Sequence, residues 1–482
     1  MFGLDMVLIN KVFYTGIAYC AAYLAIPAFF AEKTKSATSG ISKDLGKLKG
    51  TDGFILGRGK NGVKKIQISY KYSKEGVCCI APTGEGKTTA LVEPQLLSDN
   101  FPKSSMVIHD TKGELYEHTA EYQRSIGRIP MQFEPLGEGK IKYNPLDFCE
   151  NDTEIKQIAN DILTNGSLAT RLASGSGGMS GSDATWINMS VPLLTAALIH
   201  FKSLGIPYNN IPVAVRFLIN TDAEVIEKTF GESSIDAVRE NYNVFSMSII
   251  KDKDGNVSDG GPLTSILTTL ATNLTLFLNT DLEKNICSSD FTPKMLREKP
   301  IALYVKYDPM KANYLSPFIA VFYSQLLSKL MAYHTANTIP VEFILDEFQN
   351  LGKISNMVQV VSLCRYVDIP IMVFVQSLSR LYQIYGRDET ASILNNLKTK
   401  CILPSLSDVD TMRYISELCG FTELQIQENN RVNKVKKKLF EYDEVRRIED
   451  ETCVIVAHNL KPLICKQYRY YDDGEMLLNR YM

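Results

Sequence analysis

Short, uninterrupted apolar runs closed by polar residues recur along the chain at Val77–Ile80, Met106–His109, Ile301–Val305, Val341–Leu345 and Ile371–Val375. Runs of this length without polar alternation predict strands buried on both faces of a parallel sheet, hence an α/β fold. A second pattern fills the stretch between the turn Asn144-Pro145-Leu146 and Ile301, where apolar residues repeat at helical spacing, as in Trp186–Phe201 and Leu263–Leu278. A Ser/Gly-rich loop, Ser174 to Ser182, interrupts it. The prediction is an all-helical insertion within the sheet domain. A third pattern is confined to Val12–Ala31, a run with no charge. As a helix it would reach ~30 Å, the thickness of a bilayer's hydrocarbon core. It predicts one transmembrane helix; a cleaved signal peptide is the rival, but the run is long for one and Lys11 is the only basic residue before it. Lys33, Lys35, Lys43, Lys47 and Lys49 follow, which places the bulk of the chain in the cytoplasm of a single-pass protein of the cell membrane.

Composition narrows the classes. The 482 residues are 45% hydrophobic and 22% charged, with 52 basic against 54 acidic side chains, which excludes a disordered chain and leaves no global charge for a polyanion. Any nucleic-acid contact must be local. The ten cysteines, Cys78 and Cys79 adjacent among them, form no C-x-x-C pair and sit mostly in apolar runs, as reduced core thiols do. Five histidines without H-x-x-x-H spacing give no zinc site.

After the strand Val77–Ile80 comes Ala81-Pro82-Thr83-Gly84-Glu85-Gly86-Lys87-Thr88, then Thr89 and a helical pattern through Leu91, Leu96 and Leu97. This is a P-loop in the context its chemistry requires. Glycines let backbone N–H groups turn inward around phosphates, Lys87 meets the β- and γ-oxygens, Thr88 can ligate Mg2+, and the helix N-terminus faces the anion. ATP and Mg2+ are the expected cofactors. Ala81 replaces the usual first glycine, at little cost because the tight curvature falls at Gly84 and Gly86. Two further motifs carry less. Gly57-Arg58-Gly59-Lys60-Asn61-Gly62 matches a dinucleotide fingerprint but lacks its strand and helix, and reads as a turn. Asp252-Lys253-Asp254-Gly255-Asn256 has its glycine misplaced for a calcium loop and Leu263 where the loop needs Glu.

The strand Val341–Leu345 ends in Asp346-Glu347, the partner a P-loop needs: Asp346 for the water shell of magnesium, Glu347 to polarise the attacking water. In isolation such a pair is commonly a helix cap; with Lys87 it becomes a catalytic candidate. Gln376, just after Ile371–Val375, is placed to contact the γ-phosphate or the water. Arg365 is either a finger reaching a neighbouring subunit's nucleotide or a salt-bridged surface residue. Asp110 either caps the helix starting near Gly113 or lies at the phosphate edge.

From about residue 50 to about 472 the chain resembles the type IV secretion coupling proteins, the TraG/TraD-like conjugative ATPases. The resemblance rests on an ordered set: APTGEGKT (81–88), HDTKGELYEHTAEYQRSIG (109–127), FEPLGEGKIKYNPLDF (133–148), LDEFQNLGKI (345–354), VFVQSLSRLYQIYG (373–386), ILNNLKTKCIL (393–403) and EYDEVRRIEDETCVIVAHNLKPLICKQYRYY (441–471). It implies a RecA-like P-loop NTPase domain with an inserted all-α domain and an N-terminal transmembrane helix. The expected organisation is an anchor over 1–35, the first part of the ATPase domain over 50–147, the inserted domain over 148–295 and the second part over 296–482. The implied activity is that of a membrane-anchored homo-hexameric motor which receives a relaxase-bound single DNA strand and passes it to the type IV secretion channel using ATP. By motif, the Walker A residues fall on Lys87 and Thr88, the Walker B carboxylates on Asp346 and Glu347, the glutamine motif on Gln376 and the arginine finger on Arg365.

Many relatives carry two membrane helices and an acidic tail after the motor; here one run precedes it and the sequence ends at Met482, soon after a strand-like end at Tyr468 to Tyr471. Either the anchor is minimal or the true start lies upstream. Trp186 reads as a core residue, since Asp183 rather than a cation is its neighbour. The basic cluster Arg431, Lys434, Lys436, Lys437 and Lys438 reads as a solvated hairpin balanced by Glu441, Asp443 and Glu444, with a phosphate track as the alternative. Two other functions compete: a nucleotide-dependent receptor docking protein substrates without moving DNA, and a chromosome-partitioning motor, which the DTKGE, NPL and LDEFQNLGKI segments disfavour.

Overall fold

Among the described residues, eleven strands hydrogen-bond into one sheet whose order follows neither the chain nor a simple meander. In the computed structural model, which describes residues 50–59, 65–101, 103–138, 141–175, 180–248, 262–428 and 431–482, the strands are β1 (Ile55–Arg58), β2 (Lys65–Gln67), β3 (Val77–Ile80), β4 (Ser105–Asp110), β5 (Ile129–Phe133), β6 (Ile301–Lys306), β7 (Val341–Leu345), β8 (Ile371–Val375), β9 (Thr399–Ile402), the separate hairpin β10 (Phe421–Glu428) and β11 (Arg431–Lys438), β12 (Thr452–Ala457) and β13 (Leu463–Lys466). The order is β2-β1-β13-β12-β9-β3-β8-β7-β4-β6-β5. From β9 to β5 every pairing is parallel; β12, β13, β1 and β2 extend the sheet antiparallel beyond β9.

The inner parallel strands β3, β7 and β8 are buried along their length because helices cover both faces, which is why their sequences are near-continuous apolar runs, whereas the edge strand β5 is buried only at Phe133. Alternate residues still divide between two cores. Cys78, Ile80, Phe343, Leu345, Val373 and Val375 join one, and Val77, Cys79, Ile344, Met372 and Phe374 the other. The crossover from β4 to β5 is α1 (Glu114–Ser125). Its entry is capped by Asp110, whose carboxylate accepts from Gly113 N at 2.9 Å and Tyr116 N at 2.8 Å, which resolves that residue as a cap.

Between β5 and β6 lie α2 (Asp152–Ala173), α3 (Gly181–Ser203), α4 (Ile211–Asn220), α5 (Ala223–Gly231), α6 (Asp236–Met247) and α7 (Pro262–Leu274), the helical stretch that the periodicity predicts. Three of these starts have a capping side chain: Asn151 caps α2, Ser180 and Asp183 form a capping box on α3, and Asn210 caps α4. α2 packs along α8 (Ala312–Ala332), which follows β6, and the helices share one apolar core with that face of the sheet. Trp186 is half-buried against this core. Among the described residues, α3 and the Pro309–Ala332 segment are long and apolar enough to cross a membrane, but both are mostly buried within the protein. The run Val12–Ala31 lies outside the described residues, as does the loop at Asp252–Asn256.

Two local expectations need correction. The Gly57-Arg58 pair belongs to β1 rather than to a turn, because β1 is paired on both edges, by β2 and β13. The end of the chain from Tyr468 to Tyr471 is not strand: β13 stops at Lys466, and a 3-10 turn, Tyr470–Asp472, leads into the helix Gly474–Arg480, whose N-cap Asp473 also binds the Tyr468 hydroxyl. The described cysteines are free thiols, all buried except Cys287.

Candidate functional site

The site lies where β3, β8 and β7 end side by side. β3 is sealed in the sheet, and Ala81 N still donates to Val375 O at 2.9 Å, so the loop leaves from a fixed point. Gly84 and Gly86 take φ of 93° and 77°, the left-handed region that a side chain resists, and this bends the loop back over the strand end. Among the described residues, the N–H groups of Gly84, Glu85 and Gly86 donate to no protein acceptor. A Cβ on Gly84 would meet nothing within 4 Å, so the loop rims open space. Thr88 opens the following helix, Thr88–Val92, a wide turn continued by Glu93–Leu96, and Thr89 Oγ1 donates to Gly86 O at 3.1 Å. Free donors at a helix N-terminus are an arrangement suited to an anion.

β7 is separated from β3 by β8 alone, so Asp346 and Glu347 emerge across from Lys87 with Gln376 between them. Lys87 Nζ stands 2.7 Å from Asp346 Oδ1 and hydrogen-bonds Glu347 Oε1. The Asp346 contact is one of charge: Oδ1 is buried and accepts no aligned hydrogen bond. Glu347 holds φ 57° and ψ 50°, a left-handed conformation that costs a non-glycine residue about 1–2 kcal/mol. That bend turns its carboxylate back to the site, where Oε2 accepts from Gln376 Nε2 at 2.5 Å and from Gln349 Nε2 at 2.7 Å. Gln376 N in turn donates to Gln349 Oε1 at 3.4 Å. The result is a closed frame in which one lysine, two carboxylates and two amides fix one another.

Electrostatics agree with the geometry. Burial works against the Lys87 ammonium, but the two carboxylates outweigh it and hold its pKa above the ordinary lysine value. Burial also pushes Asp346 up, opposed by Lys87. Next to this frame His109, at the end of β4, is driven down to about 3 by burial and by the Lys87 charge, so it is neutral; its ring contacts the Tyr307 and Tyr323 hydroxyls at 3.2 and 3.3 Å. It belongs to the wall, not to proton transfer at neutral pH.

The sequence-derived residues Ala81 to Thr89, Asp346, Glu347 and Gln376 are thus together in space. Arg365 is not with them. It lies before β8 begins, at the opposite end of that strand from Gln376, half-exposed, 3.6 Å from Glu75 Oε1 and bonded to the Tyr366 hydroxyl at 2.6 Å. Gln349 was not anticipated. Its signal was the amide two residues after Glu347, but only the left-handed turn at Glu347 makes that spacing point inward. The basic cluster falls on the hairpin β10–β11, where Lys437 pairs with Glu444 at 3.1 Å; the side chains of Arg431 and Lys434 lie outside what is described.

The family model for Type IV secretory system Conjugative DNA transfer matches residues 37–481. Protein VirD4 of Rhizobium radiobacter is 26% identical over 423 residues, covering 82% of this chain and 56% of its own length. Conjugal transfer protein TraG of the same species is 22% identical over 421 residues, covering 82% and 62%. The chain therefore spans little more than half the length of such relatives. Among solved structures, plasmid coupling protein TrwB in complex with the non-hydrolysable GTP analogue GDPNP superposes with a TM-score of 0.68 at 14% identity, covering 88% of this chain and 92% of that one. TrwB in complex with ADP and Mg2+ gives 0.66 at 14% identity, covering 89% and 92%. The shared fold is the α/β RecA-like NTPase fold.

Proposed function

Since this chain belongs to the Type IV secretory system Conjugative DNA transfer family, we propose that it is a membrane-anchored coupling ATPase which hydrolyses ATP to recruit a relaxase-bound single strand of DNA and move it into the secretion channel. The observation that carries this reading is the frame of Lys87, Asp346, Glu347 and Gln376 at the open edge of β3, β8 and β7. A receptor that only docks substrates has no use for a positioned carboxylate beside a phosphate cradle.

The residues fit a nucleotide and its metal. Free N–H donors and open space at Gly84 suit phosphate oxygens, and the Asp346 carboxylate, whose Oδ1 meets the Lys87 ammonium without an aligned hydrogen bond, suits a hydrated cation once that ammonium turns to the phosphates. Thr88 and Asp346, the latter through water, would hold Mg2+, which when bound supplies charge neutralisation on the phosphates. Lys87 leaves its carboxylates for the β- and γ-oxygens as the triphosphate enters. That exchange frees Glu347, which Gln349 and Gln376 keep aimed at the position of the attacking water. Glu347 takes the proton of that water; Gln376, between the two strand ends, reports on the γ-phosphate. The N-terminal run Val12–Ala31 is assigned as the anchor, with the motor in the cytoplasm. The units 50–147 and 296–482 are assigned as the ATPase domain and 148–295 as its all-α insertion, six copies forming the motor.

The test is the steady-state ATPase rate of the full chain in detergent, with and without single-stranded DNA, across salt concentration, with Lys87→Ala as the blank. Stimulation by single strands that declines with salt is expected. Hydrolysis indifferent to DNA in a verified oligomer would favour a receptor for protein substrates.

A further inference from the structure

The sequence signature over 441–471 has no part in the site as described, yet its end returns to the phosphate loop. A Cβ built on Gly86 would lie 3.3 Å from Thr89 Oγ1, 3.5 Å from Gln467 Oε1 and 4.0 Å from Arg469 Nε. Three polar side chains from two parts of the chain therefore converge on one flank of the loop. Gln467 is only 3% exposed, and its Oε1 accepts no hydrogen bond. A buried amide oxygen without a donor is rare enough to call for one.

Both residues are held in place from behind. Gln467 N donates to Glu451 O at 2.7 Å, and the Glu451 carboxylate holds Arg469 Nη1 at 3.0 Å. Arg469 N donates to Asp472, which pairs with Arg58 at 3.3 Å. The guanidinium is thus fixed beside the loop rather than left to solvent. Sheet order places this pair opposite the hydrolytic frame. Relative to β3, the carboxylates and Gln376 lie towards β8 and β7, while Gln467 and Arg469 follow β13, beyond β9 and β12. A linear triphosphate with its γ end at Glu347 must direct its nucleoside end the other way. An amide oxygen accepts hydroxyl hydrogens and a guanidinium takes an anionic oxygen. A hydroxyl pair next to one phosphate is the ribose and α-phosphate of a nucleotide.

We propose that Gln467 and Arg469 hold the ribose and α-phosphate of the nucleotide seated on Ala81–Thr89, an inference that rests on the nucleotide site proposed above. Because neither residue reads the base or the γ-phosphate, ATP, ADP and GTP share the contact.

The experiment is calorimetric binding of ADP, ATP, GTP and the 2′- and 3′-deoxy forms of ADP to the full chain, with thermal unfolding of nucleotide-free protein as a fold control. Arg469→Ala should weaken ADP, ATP and GTP by one common factor of about ten or more. Arg469→Lys should recover part of that loss. At least one deoxy form should bind the wild type less tightly than ADP does, and this difference should vanish in Gln467→Ala. Wild-type ADP affinity in both alanine variants, while Lys87→Ala loses binding, would overturn the inference and leave the nucleotide site standing. A wild-type chain that binds no nucleotide would overturn both.

Discussion

Glu347 concentrates what the sequence could and could not disclose about single residues. Its place after a buried strand, with Asp346 before it and Lys87 elsewhere, was legible because strand ends of a parallel sheet gather at one edge. Its left-handed backbone was not, since nothing in Asp-Glu-Phe-Gln demands it, and with that went Gln349. The two amides donate to one oxygen of the carboxylate and leave the other to Lys87. Two donors fix the direction of the carboxylate, and for a group that must meet one water the direction is what counts. Glu347→Gln should therefore bind ATP with near-normal affinity and hydrolyse it about 10²–10⁴-fold more slowly, read as single-turnover hydrolysis beside equilibrium binding. Normal turnover would remove it from the chemistry. Gln349→Ala should bind ATP normally and lose about 10–100-fold in the same rate, the worth of one hydrogen bond to a charged group. An unchanged rate would reduce Gln349 to packing.

Strands and helices were read largely from pattern, because burial on two faces leaves an unbroken apolar run and burial on one leaves a stripe. The joints between elements were not, since they pair residues far apart in the chain. The segment after Glu347 is bolted to α2 in this way. Asn165 Nδ2 donates to Lys353 O at 3.0 Å, and Lys353 N donates to Asn165 Oδ1 at 2.6 Å, so the amide continues the backbone like a strand neighbour. Asp161, one turn earlier, accepts from Ser355 and from Gln157 Nε2 at 2.7 Å. The segment that follows Glu347 is thereby tied to α2, which also packs along α8. Among the described residues no cation pairs with Asp161, and burial raises its pKa to about 6. An acid whose pKa is raised in the folded state binds its proton more tightly there than when unfolded. The stability it adds is complete below its ordinary value near 3.8 and is lost as pH climbs through about 6. Between pH 5 and pH 8 the wild type should thus lose about 1.4 kcal/mol that Asp161→Asn does not lose, measured by urea unfolding of both proteins at each pH. Glu342, buried with its own pKa raised to about 7, titrates equally in both and cancels in the difference. Parallel losses would show that Asp161 is already neutralised by its neighbours.

At the scale of the whole molecule, near-equal acidic and basic content gives no long-range field for a polyanion, so under the proposed function contacts with DNA would be local and repeated by assembly. Arg365 bears on that assembly. The five residues of β8 span ~17 Å between its end of the sheet and Gln376, and Glu75 and Tyr366 hold its side chain where it is. It cannot serve the site of its own chain. A half-exposed arginine at the sheet end opposite its own phosphate loop is, however, open to a neighbouring copy in the proposed assembly. This gives a prediction that a purely structural arginine does not share. Arg365→Ala and Lys87→Ala should each be inactive alone, but mixed assemblies should regain part of the ATPase rate, because a Lys87→Ala copy still offers its arginine to the intact loop of an Arg365→Ala neighbour. Recovery should peak at intermediate mixing ratios, where unlike neighbours are most frequent. No recovery in assemblies shown by mass to contain both variants would leave Arg365 as the tether of Glu75, which His458 also contacts at 3.3 Å, and would place the missing cation elsewhere on the neighbouring copy.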